Sequence, residues 1–165
     1  DMRNTVNDHY VTVADSLRLT GNENKTTLYS TVKISPDGQY LAYAKNDRGH
    51  YTVKVRSLKT GRERIIIAGG SRVIKQRVDY RLPLISWSDN NVLGVVGVHK
   101  GEYMFWLYDL NSRSKLPRRL DKFNNVRSIN FSQNGRLIIM SADFDGQNDL
   151  FLLSTKRDRL RRLTN

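Results

Sequence analysis

The sequence predicts an all-β chain made of repeated four-stranded antiparallel units, and three observations predict it. Apolar and polar residues alternate over short runs, as at Val32 and Ile34 and again at Val53 and Val55, the two-residue period of a half-buried strand. Turn formers separate the runs: Ser35-Pro36-Asp37-Gly38, then Asp47-Arg48-Gly49, then Lys59-Thr60-Gly61. The pattern then recurs. A serine preceded by an apolar residue stands at Ser35, Ser88 and Ser132, after Ile34, Trp87 and Phe131, and a second-turn glycine stands at Gly49, Gly101 and Gly146. Ser88 and Ser132 lie 44 positions apart, and four strands in a unit of that length make the blade of a β-propeller.

Taken in order, residues 1–28 hold two short strand-like runs, Tyr10–Val13 and Leu17–Thr20. They read either as the outer strands of a preceding blade or as an N-terminal extension. Residues 29–67 form blade one. Proline fixes φ in its first turn, Asp37 caps the backbone and Gly38 takes the positive φ. Residues 68–83 are an inserted connecting loop, which accounts for most of the longer spacing, 53 positions, between Ser35 and Ser88. Residues 84–120 form blade two. Its second strand, Val92–Val98, is apolar on both faces, as expected of a strand packed between two neighbours. Gly94 and Gly97 within it allow another blade to approach closely. Residues 121–165 form blade three, with Leu137–Met140 and Leu150–Leu153 as its central runs. Propellers close with about four to eight blades, so the chain reads either as a segment of a larger propeller that remaining blades complete or as a unit completed by a partner chain.

Composition narrows the function classes. The chain has 165 residues, 38% of them hydrophobic, enough for a packed core. There is no cysteine, which excludes disulfides and thiolate metal sites. No apolar run reaches the length of a transmembrane helix. Twenty-eight Lys and Arg against 16 Asp and Glu give a net charge of +12. The basic runs 113–119 and 156–162 fall on outermost strands and their turns, where cations guard exposed edges against pairing. Aromatic residues do not interleave with them as a stacking surface for single strands requires, which argues against nucleic acid as a partner.

Chemistry-bearing motifs are sparse. The sequence lacks a Gly-x-Ser-x-Gly elbow, a His-Glu-x-x-His helix and a phosphate-binding glycine loop, so no catalytic residue and no cofactor is expected in this segment. The run from Asp143 to Asp149 fails the EF-hand spacing and reads as an ordinary second turn, so no metal is expected either. Trp87 and Trp106 read as blade-packing residues. The remaining candidate is a binding face. In an up-and-down meander the second turns share an end with the blade-to-blade connections, which gathers Arg48, His50, Arg72, Lys75, Arg77, Arg81, His99 and Lys100 at one end, either as a basic partner-binding surface or as a solvated basic loop.

The pattern apolar-Ser-Pro-Asp-Gly, followed by Leu41-Ala42-Tyr43, Gly49, Tyr51, Val53, Val55 and Thr60-Gly61, resembles the repeat of TolB-like β-propellers of bacterial envelopes. It is similar also to the propeller domains of prolyl-oligopeptidase-like peptidases. The resemblance covers residues 29–165. Two blades depart from it, since Ser88-Asp89-Asn90-Asn91 lacks both Pro and Gly and Ser132-Gln133-Asn134-Gly135 lacks Pro. It implies a non-catalytic binding or scaffolding module, partnered by other proteins of the cell envelope and located in the periplasm or at the outer membrane. The alternative it implies is the gating propeller of a serine peptidase whose catalytic domain lies elsewhere in a longer chain.

Overall fold

The computed structural model describes residues 27–47, 50–70, 83–89, 91–157 and 159–164. These form twelve strands and no helix, in three antiparallel meanders. The first contains β1 (Thr27–Ile34), β2 (Tyr40–Asp47), β3 (His50–Ser57) and β4 (Glu63–Gly70). The second contains β5 (Leu84–Trp87), β6 (Val92–His99), β7 (Glu102–Asp109) and β8 (Lys115–Arg119), and the third β9 (Asn125–Phe131), β10 (Leu137–Phe144), β11 (Gln147–Ser154) and β12 (Leu160–Arg162). A single parallel pairing, Gly70 with His99, joins the first meander to the second; the third is a separate sheet.

Two of these bounds correct the sequence reading. β1 starts at Thr27, so residues 27 and 28 belong to blade one, and Thr31 at φ 53° forms a bulge between Ser30 and Lys33. β4 runs on through Ala68, Gly69 and Gly70, which the sequence assigns to the inserted loop. Three consecutive apolar residues, Ile65 to Ile67, end the alternation that would mark a strand terminus, and a bulge opposite Val53 and Lys54 re-phases the pairing. The segment read as an outer half-blade, apart from residues 27 and 28, lies outside the described residues.

The repeated serines each close the first turn of their blade. The backbone N–H groups of Tyr40, Val92 and Leu137 donate to the Oγ of Ser35, Ser88 and Ser132 at 2.9, 3.2 and 3.1 Å. Asp37 and Asn134 complete the turns by accepting from the N–H groups of Gln39 and Arg136. The Ser35 hydroxyl, donating at 2.6 Å, is the main reason the Asp37 carboxyl titrates below its ordinary range.

Side chains of successive blades interleave in two apolar layers. Ala42, Ala44, Tyr51, Val53 and Val55 of blade one pack on Leu93, Val95, Trp106 and Tyr108 of blade two. From its opposite face blade two sends Val96, Phe105 and Leu107 against Ile138, Met140, Phe151 and Leu153 of blade three. β6 therefore alternates between two cores, which is why it reads as apolar on both sides. The two glycines in it work as expected. A Cβ at Gly97 would stand 2.2 Å from the Tyr51 hydroxyl, and one at Gly94 would stand 2.9 Å from the Phe131 ring. The tryptophans also fall in the first layer: Trp106 is buried, and Trp87 donates its indole N–H to the Lys33 carbonyl at 3.1 Å.

Candidate functional site

The second turns sit where the meander requires. Lys100 and Gly101 have φ of 53° and 84°, and Asp145 and Gly146 have 49° and 78°. Two successive positive φ values make a type I′ turn, whose twist matches the strands it joins, and glycine takes the second place without strain. At this end His50 opens β3 and pairs with Gly70, and Gly70 pairs in turn with His99 at the end of β6. The two histidines thus flank one glycine, and Lys100 follows directly. All three side chains are exposed, and His99 meets the Trp106 ring edge-on with centroids 6.4 Å apart. Arg48, Arg72, Lys75, Arg77 and Arg81 lie outside the described residues.

At the opposite end the first and third turns of blades two and three enclose a cleft of about 650 Å³. Val92, Leu107 and Leu116 floor it; Asp89 and Asp109 stand on the blade-two side, and Arg136 and Lys156 on the blade-three side. Next to it a recess of about 380 Å³ is lined by Arg136, Leu137, Lys156, Arg157 and Arg159. Sequence reasoning missed this grouping because it treated the cations of residues 156–162 as edge guards and passed over Arg136. The available signal was topological: the meander places the first turn of a blade beside its third, which brings residue 136 next to residues 156–159.

Arg118 departs furthest from its sequence reading. Its guanidinium crosses from β8 into the third turn of blade three and donates to the carbonyls of Ser154 at 2.5 Å, Thr155 at 2.8 Å and Arg157 at 3.1 Å. An arginine on an outermost strand is here a bond between blades, because its planar fork can satisfy several carbonyls that point the same way.

Three carboxylates, Asp143, Asp149 and Glu63, are paired with cations. Asp143 accepts both arms of Arg127 at 2.9 Å and the Asn148 amide at 2.8 Å; the Arg127 bonds do most to lower its pKa to about 2. Asp149, 4% exposed, faces Arg162 at 2.6 Å and accepts from Thr164 at 2.8 Å, tying β12 to β11. In blade one, burial alone would raise the pKa of Glu63, but Lys54 at 2.7 Å and the Tyr43 hydroxyl hold it below the ordinary range. Burial, followed by that same carboxylate, pushes the Tyr43 phenol up.

No family model matches the sequence, and no curated protein matches it either. Solved structures do. TolB from Acinetobacter baumannii superposes with a TM-score of 0.66 at 16% identity, over 84% of this chain and 32% of that one. The AtxE2 isopeptidase gives 0.64 at 12% identity, over 81% and 28%. The β-propeller domain of the Trilobed protease from Pyrococcus furiosus gives 0.59 at 14% identity, over 83% and 43%. The fold is that of a propeller segment. Both resemblances read from the sequence, to TolB-like and to peptidase propellers, hold at the level of fold. The segment spans about a third of the length of the TolB chain it matches. Among the described residues no helix is long and apolar enough to cross a membrane.

Proposed function

We propose that the chain is a non-catalytic propeller segment that binds other proteins, as part of a TolB-like protein of the bacterial envelope acting in the periplasm or at the outer membrane. The observation that carries this reading is the gathering of His50, His99 and Lys100, all exposed, around the Gly70 junction on a framework held by two apolar layers between blades. Side chains on short turns over a rigid scaffold make a recognition surface, and cations there select an acidic partner. The pairing of Asp143, Asp149 and Glu63 with cations supports a structural role for these acids over an acid–base one. By sequence, Arg48, Arg72, Lys75, Arg77 and Arg81 extend the same basic surface.

The test is binding kinetics against a panel of purified envelope proteins. Lys100→Glu combined with Arg72→Glu and Lys75→Glu is expected to slow association about tenfold or more at low salt, with the difference shrinking at high salt, because rim charges act on encounter. Equal on-rates for variant and wild type would count against this surface.

The second reading is the propeller of a serine peptidase, favoured by the superposition on a prolyl endopeptidase with a TM-score of 0.60 as well as on the isopeptidase. Labelling of the full-length protein by a fluorophosphonate probe for activated serines decides between them: labelling supports the peptidase, and its absence supports the scaffold.

A further inference from the structure

The end of the molecule opposite the histidines carries its own grouping of charge and apolar surface. Arg136, Lys156, Arg157 and Arg159 are exposed around one recess, and among the described residues none of the four is ion-paired to a carboxylate. The backbone beneath them is fixed. The Thr155 N–H and hydroxyl both donate to the Arg136 carbonyl at 3.0 Å, Arg157 N–H donates to the Ser154 hydroxyl at 3.2 Å, and Arg118 holds three carbonyls of the same turn from behind. The four cations share one recess, and Asp158, between Arg157 and Arg159 in sequence, offsets only one of their formal charges, so the recess attracts an anion. The adjoining cleft supplies the apolar part, with Leu116 57% exposed in it beside Val92 and Leu107.

We infer that the cleft between blades two and three, with its cationic blade-three rim, is a second docking surface for an acidic peptide segment of a partner protein, one apolar side chain of which enters the cleft beside Leu116. Charge complementarity selects this occupant. Guanidinium forks match carboxylates two bonds at a time. The cleft volume of about 650 Å³ admits an apolar side chain, and the blade-two wall, with Asp89 and Asp109, repels carboxylates toward the arginines. A nucleic-acid strand is a poorer match: among the described residues no aromatic ring lines either recess to stack a base, and Asp89 and Asp109 would face the phosphates. This surface goes beyond the one proposed above and stands at the other end of the blades.

The experiment uses a fluorescein-labelled peptide with one leucine between two pairs of glutamates, read by anisotropy against the purified chain, with a short DNA duplex as the competing probe. The peptide is expected to bind the wild type, to bind Arg136→Glu/Arg157→Glu about tenfold or more weakly, and to bind Leu116→Asp more weakly at every salt concentration. Lys156→Gln/Arg159→Gln, at two further exposed positions, serves as the milder pair if the reversal disturbs folding; circular dichroism checks each variant. Lys59→Glu, at an exposed turn of blade one that belongs to neither surface, should leave peptide affinity unchanged. The inference is overturned if the wild type does not bind the peptide, if both pairs of variants bind it as the wild type does, or if the duplex binds through these residues and displaces the peptide.

Discussion

Tyr51 shows how closely a single side chain is specified. Its ring lies in a slot made by two glycines: a Cβ at Gly69 would come within 2.5 Å of the hydroxyl, and one at Gly97 within 2.2 Å. The hydroxyl donates to the Val98 carbonyl of the next blade at 2.9 Å, and burial drives the phenol pKa up despite that bond. Tyr103, its counterpart in blade two, reaches forward in the same way to Asn125 of blade three at 3.2 Å. Gly97→Ala forces an atom into occupied space and should destabilise the chain by about 1–3 kcal/mol in urea denaturation. Tyr51→Phe should cost about 0.5–1.5 kcal/mol, the hydrogen bond alone. In the Tyr51→Phe background the glycine substitution should cost less than in the wild type, because the nearest clashing atom is gone; additive costs would show that the hydroxyl is not what confines Gly97.

At the scale of strands, β9, β10 and β11 of blade three meet at the Arg127, Asp143 and Asn148 network, and this sets an acid limit. The Asp143 carboxyl falls from 3.8 to about 2 on folding, so the folded chain binds fewer protons than the unfolded chain between those values. Its stabilisation is complete above about pH 4 and disappears as the pH falls through 2. Arg127→Leu should therefore lower the melting temperature at pH 6, and the gap from wild type should close toward pH 2; a gap independent of pH would remove the ion pair as its cause. The strands themselves were legible in the sequence because period-two alternation and turn chemistry are local. The exchange of the aromatic at Tyr51 and Tyr103 for Asn148 was visible as a break in the repeat, but its pairing with Asp143 was not, since that depends on cross-strand register. Arg118 was illegible for a similar reason. Nothing near it in the chain tells an arginine that guards an edge from one that reaches the carbonyls of the next blade.

For the molecule as a whole, blade two is covered on both faces while blades one and three each have a face with no described blade on it. Blade three shows Ile139 and Leu150 there, each 38% exposed, and blade one leaves Val32, Ile34 and Ile65 exposed. Apolar surface of this kind favours self-association. Purified at increasing concentration, the chain should shift from monomer toward larger species in sedimentation velocity, and Ile139→Lys/Leu150→Lys should reduce the shift; a wild type that stays monomeric throughout would show that these faces are not adhesive. The repeat period made the three four-stranded meanders of the described residues legible. The position of the candidate site was legible only in part: topology put His50, His99 and Lys100 at one end, whereas the cationic recess at the other end emerged only once the first and third turns of blade three were seen side by side.

Gly94 and Gly97 have a geometrical consequence beyond local fit. Three positions apart on one strand, they open toward opposite sides, Gly97 toward the Tyr51 ring of blade one and Gly94 toward the Phe131 ring of blade three. Each fixes how near a flanking sheet can come, and hence the wedge angle between two successive sheets. In a closed ring those angles must sum to a full turn, so a methyl group at either position would spread one wedge and leave less arc for all the others. Two hydrogen atoms on β6 thus help to set how sharply the three described sheets fan.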